Sequence, residues 1–465
     1  MSSAVLKRWE PENSAFWQDE GRSIARRNLW ISIPCLTLGF VISVLWSMVT
    51  LNLPNAGFTF TKDQLFLLTA LPQLSGATLR IFYSFMPGVF GGRKWTTFST
   101  ALLLIPALWL GFAVQDPTTS YPVMLTIALL CGLGSGNFAS SMANIAFFFP
   151  AAEKGKANGL NAGFGNLGVS LAQLLIPLMI TMPLFGAFGG DAQHYLKDGV
   201  EKSLWLQNAG FMWVPLIAVA AIAAWFGMND IAAAKSSFAD QAVIFKRRHN
   251  WIMCYLYIGT FGSFIGFAGA FALLTKTLFP EIPIAKFAFI GPMIGALIRP
   301  VGGALSDKVG GAKVTLAVFF GMAAGVFGVL SALPVKVDGA LAGGNWTMFL
   351  LSFLWLFAWA GIGNGSTYKM IPTIFSTVCR REAEGKGEAA LQQAKLAGLK
   401  ESAAAAGFIS AIGAYGGFFI PQSFGMSMKS TGGPEMALYC FLAFYVTCIV
   451  ITWYCYARKN AELPC

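Results

Sequence analysis

Two arginines lie where a charge is costly. Arg80 sits in "SGATLRIFYSF" (Ser75–Phe85) and Arg299 in "IGALIRPVGGAL" (Ile294–Leu305), both apolar enough for a lipid bilayer. In each, Gly-Ala and two apolar or small residues precede the arginine. An arginine at mid-membrane costs on the order of 3 kcal/mol by insertion scales. That cost persists only where something negative offsets it. A carboxylate on the chain would serve, but Asp63, Asp230, Glu281, Asp307 and Glu401 all fall at the ends of apolar segments or in loops. Snorkelling to an interface would also serve, yet Arg80 precedes the Gly91–Gly92 turn by about 11 residues, roughly 16 Å of helix. A guanidinium is planar, permanently charged and forked. It suits a small planar oxyanion held by paired hydrogen bonds. The two residues therefore point to an anion site whose ligand supplies the missing charge.

The arginines are related. At a shift of 219 residues, Gly76, Ala77 and Arg80 fall on Gly295, Ala296 and Arg299, and Gly91, Gly92 and Lys94 fall on Gly310, Gly311 and Lys313. Upstream, "RRNLWI" (Arg26–Ile31) matches "RRHNWI" (Arg247–Ile252) at a shift of 221. Downstream, "GLGSG" (Gly132–Gly136) matches "GIGNG" (Gly361–Gly365) at a shift of 229. The shifts grow slowly, as loop insertions make them. The chain reads as two homologous halves. Like halves in one orientation are related by an axis along the membrane normal, with a substrate site at their interface near the midplane. Arg80 and Arg299 are expected to point into that site.

The elements that must position them are membrane helices. Of 465 residues, 56% are hydrophobic and 11% charged, and the mean hydropathy is +0.62. Soluble domains carry about 25% charged residues. Apolar runs near 20 residues long recur, each long enough to cross about 30 Å of hydrocarbon. Twelve spans are expected, near 29–52, 62–88, 94–114, 121–149, 157–184, 205–228, 250–278, 284–305, 312–333, 346–377, 400–427 and 434–457. The fold class is an all-α polytopic membrane protein: twelve transmembrane helices in two pseudo-symmetric six-helix bundles.

Lysine and arginine set the orientation. Twenty-two of the 32 lie on the side of the N-terminus, seven on the opposite side, and Arg80, Arg299 and Lys369 within spans. Both termini are thus expected in the cytoplasm, and the net charge of +11 reads as a topology signal, with no nucleic-acid partner. The expected organisation is a cytoplasmic N-terminal segment at 1–28, a six-helix bundle at 29–231, a cytoplasmic linker at 232–249, a second bundle at 250–458 and a cytoplasmic tail at 459–465. Residues 1–28 lack the compact apolar core of a cleaved signal peptide, so the first apolar segment is expected to remain as the first helix. The linker and the charged, alanine-rich Arg380–Lys400 stretch read as solvated connectors, the latter helical.

Other motifs carry less. The eight cysteines are scattered without C-x-x-C spacing, and most read as small hydrophobes. His194 and His249 fall in expected loops, so neither a metal nor a cofactor is expected. "GFGNLG" (Gly163–Gly168) fits G-x-G-x-x-G, but the dinucleotide fingerprint needs a preceding strand, and this match lies in an apolar helix. Its glycines suit close helix packing or bare backbone beside a cavity. Asn166 within it has two readings, an interhelical amide bond or a donor to an anion.

Longer motifs carry a resemblance. "GNFASSMANIAFFFP" (Gly136–Pro150) and "GNGSTYKMIPTIF" (Gly363–Phe375) resemble the paired signatures of the nitrate/nitrite porter family, within the major facilitator superfamily. "GGALSDKVGG" (Gly302–Gly311) resembles that superfamily's loop motif between spans 8 and 9, and "RNLWIS", "TFGSFIGF" and "GFISAIGA" extend the likeness over nearly the whole chain. The resemblance implies alternating access, with nitrate or nitrite held between Arg80 and Arg299. It implies an aromatic sandwich from Phe138 and Phe261 and polar contacts from Asn166 and Tyr257. Signature or gating positions match Gly134, Gly136, Gly163, Gly165, Gly363, Gly365, Ser366 and Lys369. Lys369 departs from the family, whose bacterial exchangers carry a glutamine there. It suits snorkelling, a third cation along the inner vestibule, or a titrating group.

The expected activity is exchange of nitrate for nitrite, with nitrate/proton symport as the alternative. The absence of a mid-membrane carboxylate supports exchange, because proton symport usually needs a proton relay. An anion channel would leave a continuous pore and show currents with no counter-substrate; a sensor would need a signalling domain and an enzyme a nucleophile, metal or acid–base pair, and neither of these is evident in the sequence. The family role implies a multi-pass protein of the bacterial inner membrane, a monomer among lipids, functionally coupled to a nitrate reductase on the cytoplasmic side.

Overall fold

The computed structural model describes residues 4–197, 199–232, 242–337 and 340–465. Part of the expected 232–249 linker, 233–241, lies outside the described residues. Among the described residues twelve helices are long and apolar enough to cross a membrane. They are α1 (Ser14–Asn52), α2 (Lys62–Tyr83), α3 (Gly92–Ala113), α4 (Tyr121–Phe148), α5 (Glu153–Met179), α6 (Asn208–Gly227), α7 (Arg248–Leu278), α8 (Ile284–Val309), α9 (Gly311–Ala332), α10 (Trp346–Ala383), α11 (Glu388–Ser430) and α12 (Glu435–Ala457). Among the described residues six short strands, β1 (Val5–Leu6), β2 (Gln193–Lys197), β3 (Val200–Leu204), β4 (Asp230–Ile231), β5 (Val335–Val337) and β6 (Ala340–Ala342), form two-stranded ladders. β1 pairs with β4 in parallel, while β2–β3 and β5–β6 are antiparallel.

Three boundaries differ from expectation for physical reasons. α1 starts at Ser14, well before its apolar run, because Asn13 caps it through Oδ1 and a π-helical turn at Trp17–Gly21 buries Trp17. Trp9, Trp17, Ile145, Phe148, Phe149 and Ala157 then share an apolar cluster, so the polar N-terminal segment is packed down. Arg380–Lys400 is helical: it extends α10 to Ala383 and opens α11 at Glu388, with glycines 385 and 387 at positive φ between them. His249 is not in a loop. It is buried in the first turn of α7, with Nδ1 3.0 Å from the Tyr456 hydroxyl and Nε2 3.2 Å from Glu462.

By contact the chain divides into two units. One holds Met1–Lys235, Gly266–Met293 and Gly417–Gly432; the other holds Ser236–Ile265, Ile294–Gly416 and Gly433–Cys465. Within the first, segments from the second half of the chain are tied to the first half. Gln173 Nε2 donates to the Ala268 carbonyl at 2.7 Å, Lys276 Nζ donates to the Leu51 carbonyl, and Lys429 pairs with Asp63 at 3.4 Å.

Inside each unit, glycine sets how closely helices approach. α1 crosses α4 at Gly39 and Gly134, where a Cβ on Gly39 would lie 2.7 Å from the Gly134 carbonyl oxygen. α2 crosses α4 at Gly76 and Gly132, with a Cβ on Gly76 3.0 Å from the Gly132 oxygen. The second unit repeats this. Gly295 of α8 meets Gly361 of α10, and Gly363 packs on Thr260. Small residues allow such approach where lipid offers no hydrophobic drive between helices.

The turns before α3 and α9 also repeat. Gly91 and Gly310, 219 residues apart, adopt φ of 95° and 97°, a region glycine enters without a Cβ penalty. After each glycine, an N–H is capped by the chain that follows the sixth helix of its half. Arg93 N–H donates to Asp230 Oδ1 at 2.8 Å, and Ala312 N–H donates to the Cys465 carbonyl at 2.9 Å.

Candidate functional site

In the first unit, α2 carries Arg80 and α4 faces it with Ser135 and Phe138. Arg80 is 0% exposed. Its Nε donates to the Ser135 carbonyl at 2.9 Å and its Nη2 to the Ser135 hydroxyl at 3.0 Å. The guanidinium carbon lies 4.9 Å from the centre of the Phe138 ring and 6.0 Å from that of Phe40, within cation–π range. The two rings meet edge to face at 5.9 Å. Phe138 is therefore the floor of a buried cation. Asn166 of α5 is also fully buried, and neither of its amide atoms has a hydrogen-bond partner among the described residues.

The expected signature glycines of this unit divide by role. Gly134 and Gly136 are packing positions: Gly134 meets Gly39, and a Cβ on Gly136 would lie 3.1 Å from the Tyr83 ring. Gly165 packs on Leu36, while Gly163 has open space where its Cβ would be.

In the second unit, α8 carries Arg299 and α7 and α10 surround it. Arg299 is 7% exposed. Its Nη2 lies 3.5 Å from the Tyr257 hydroxyl, and its Nη1 is buried without a hydrogen-bond partner among the described residues. The Tyr368 ring of α10 lies 5.7 Å from the guanidinium carbon. Tyr257 and Phe261 stack with centroids 5.5 Å apart and planes 17° from parallel. Four residues apart, they share a helix face. Phe261 falls in a π-helical turn, Ile258–Gly262, a local widening frequent at functional sites. Gly365 packs against the backbone of Arg299 and Gly303, and Ser366 bonds Thr315 at 2.8 Å. Lys369 is 51% exposed and ion-paired with Asp307 at 2.9 Å.

The structure thus joins Arg80 with Phe138, and Arg299 with Tyr257 and Phe261. It adds four residues that the sequence analysis does not single out: Phe40, Ser135 and Tyr368, and Gln73, whose Oε1 lies 3.4 Å from the Ser135 hydroxyl. The repeat contained a signal for one of them. Phe40 falls on Phe261 at the shift of 221 already established by "RRNLWI" and "RRHNWI". Gln73 precedes Arg80 by seven residues, two helical turns, and so shares its face. Ser135 lies inside "GLGSG", where glycine spacing drew attention from the serine.

Comparison with known proteins agrees with this architecture. A model of the Major Facilitator Superfamily matches residues 35–421. The nitrate/nitrite transporter NarU of Escherichia coli K12 is 52% identical over 459 residues, covering 99% of this chain and 97% of that one. The probable nitrate/nitrite antiporter NarK2 of Thermus thermophilus is 38% identical, covering 98% and 97%. Among solved structures, a partially occluded inward-open xylose transporter XylE from E. coli superposes with a TM-score of 0.61 at 16% identity, over 93% of this chain and 97% of that one; this likeness is one of fold. These close relatives are transporters and not enzymes, and with twelve apolar helices and matched signatures on both halves, the chain belongs to the nitrate/nitrite porter family of the major facilitator superfamily.

Proposed function

We propose that this chain exchanges nitrate for nitrite by alternating access, the anion being held by one arginine from each repeat, Arg80 and Arg299. The observation that carries this reading is Arg299, a buried guanidinium whose Nη1 has no partner among the described residues. A buried, unpaired charge is strongly destabilising, so a ligand that neutralises it is bound with the whole of that penalty relieved. Asn166 supports the same reading, because an amide serving as interhelical glue would have its bonds made. The relatives' names support nitrate and nitrite as cargo.

Phe138 and Phe261 supply flat faces for a planar anion, and Tyr257 and Asn166 supply polar contacts. Without the anion, two cations repel and the carrier does not reorient; with it, the charges are balanced and the carrier crosses loaded. That rule gives obligatory exchange. Lys369, on which a proton-coupled alternative would call, is half exposed and paired with Asp307, which favours exchange. In the cell we place the protein in the bacterial inner membrane as a monomer, both termini cytoplasmic, serving a nitrate reductase on that side.

Counterflow in proteoliposomes tests the coupling. Nitrite efflux is expected to require external nitrate and to ignore an imposed pH gradient. Appreciable nitrate uptake into empty vesicles, or accumulation driven by the gradient, would overturn exchange.

A further inference from the structure

We infer that the two arginines are not equivalent: Arg80 is held fixed by a one-way hydrogen-bond chain through Ser135 and Gln73, whereas Arg299 has no such anchor among the described residues and is the arm that adjusts. The inference rests on the anion-holding role proposed for these residues, and it adds Gln73 and Ser135 as positioning residues.

The chain starts at a backbone carbonyl. Gln73 is 3% exposed, and its Nε2 donates to the Ser43 carbonyl of α1 at 3.1 Å. A carbonyl only accepts, so the amide can have one orientation, with Oε1 turned the other way. Oε1 then accepts from the Ser135 hydroxyl at 3.4 Å. The hydroxyl proton is committed to Gln73, which leaves an oxygen lone pair toward Arg80, and Nη2 donates to it at 3.0 Å. The Ser135 carbonyl accepts from Nε on the same edge at 2.9 Å. Every donor in the sequence Arg80, Ser135, Gln73, Ser43 points the same way. Reversing any link would set donor against donor or acceptor against acceptor. Helix packing reinforces this, because a Cβ on Gly76 would strike the Ser135 side chain and one on Gly132 would strike Ser75. Ser135 is therefore packed directly on the α2 face.

The second repeat lacks both links. At the shift of 219, Gln73 falls on Pro292, which has no side-chain donor or acceptor. At the shift of 229, Ser135 falls on Asn364. Asn364 is 1% exposed, but its Oδ1 has no hydrogen-bond partner among the described residues, and neither does Arg299 Nη1. The one side-chain hydrogen bond seen for Arg299 among the described residues is the long 3.5 Å contact to the Tyr257 hydroxyl. A side chain held at one point can re-aim as a ligand arrives, and one held along an edge by two short bonds, as Arg80 is at 2.9 and 3.0 Å, cannot. On this account the anion docks first on a preset Arg80, and Arg299 closes on it.

The test uses the full-length protein in proteoliposomes, with nitrate as the probe. Initial counterflow rates against nitrate concentration give KM and Vmax for Gln73→Met, Ser135→Ala, the double variant, Asn364→Ala and Arg80→Lys. Melting without nitrate monitors folding. Ser135→Ala removes a hydrogen bond to a charged group and is expected to raise KM by about tenfold; Gln73→Met removes the acceptor that orients the Ser135 hydroxyl and is expected to raise KM by a smaller factor. The double variant should be no worse than the more affected single one, since both changes break one chain. Asn364→Ala should leave KM within about twofold. Additive effects, a loss confined to Vmax, or an equal rise in KM from Asn364→Ala would overturn the asymmetric anchoring. Where Gln73→Met lowers the melting temperature, Gln73→Leu replaces it and the same cycle is read. Arg80→Lys separates the two ideas. If it transports nitrate normally, the anion-holding role itself fails; if it is inactive while Gln73→Met and Ser135→Ala behave as wild type, only the anchoring fails.

Discussion

A guanidinium and an ammonium carry the same charge but not the same geometry. Arg299 meets Tyr257 through one nitrogen and lies beside the Tyr368 ring, contacts that depend on a planar head. Lysine at this position would keep the charge and lose the fork. Arg299→Lys is expected to cut nitrate counterflow by at least about tenfold, with the unliganded melting temperature little changed. Wild-type counterflow in that variant would count against the role assigned to Arg299. Its place was legible in the sequence because a charge inside an apolar run is rare and costly. The partners of Arg80 were not legible, since a serine or glutamine in a membrane helix is common and only its neighbours give it a task.

Helices in this chain approach through glycine, and not all glycines in the signatures do so. Gly134 faces the Gly39 backbone, so any side chain there must part α1 from α4. Gly163 has nothing within 4 Å of its would-be Cβ. Gly134→Ala is therefore expected to destabilise the protein by about 1–3 kcal/mol, as overpacking does. Gly163→Ala is expected to be neutral or slightly stabilising, because alanine is the better helix former. Thermal melts of the two variants decide the matter, and equal melting temperatures would show the packing argument wrong. A second feature at this scale is the junction of α7, α10 and α11, where Arg247 Nε and Nη2 reach Glu401 at 2.8 and 2.9 Å and Nη1 pairs with Glu382. These two carboxylates raise the Arg247 pKa above its already high usual value. The expected linker at 232–249, read as a solvated connector, thus carries an ion-paired joint at Arg247.

For the molecule as a whole, the arrangement of charge argues its orientation. Cationic residues are concentrated on the side of the N-terminus, as they are on the cytoplasmic side of membrane proteins. A cysteine placed at Lys459 in a cysteine-free background is expected to react with an impermeant thiol reagent only from the inner side of right-side-out vesicles. Labelling from outside would reverse the topology. The tail near that residue is ordered against its own unit: Leu463 is buried, and the Glu462 carbonyl accepts from Arg381 Nη1 at 2.6 Å. Reagent access is therefore best judged after unfolding as well as before.

What the sequence by itself determined was periodic or costly: twelve apolar lengths set by bilayer thickness, a duplication visible in its spacing, and two charges too expensive to be idle. Each of these is a property of one segment, or of two segments compared. What only the tertiary structure decided was which atoms complete those charges. The amide of Gln73 acquires a direction only because the Ser43 carbonyl, 30 residues away, happens to lie behind it. Hydrogen bonds are directional and short, so their partners are settled by how helices cross, and the sequence records the residues without the crossing.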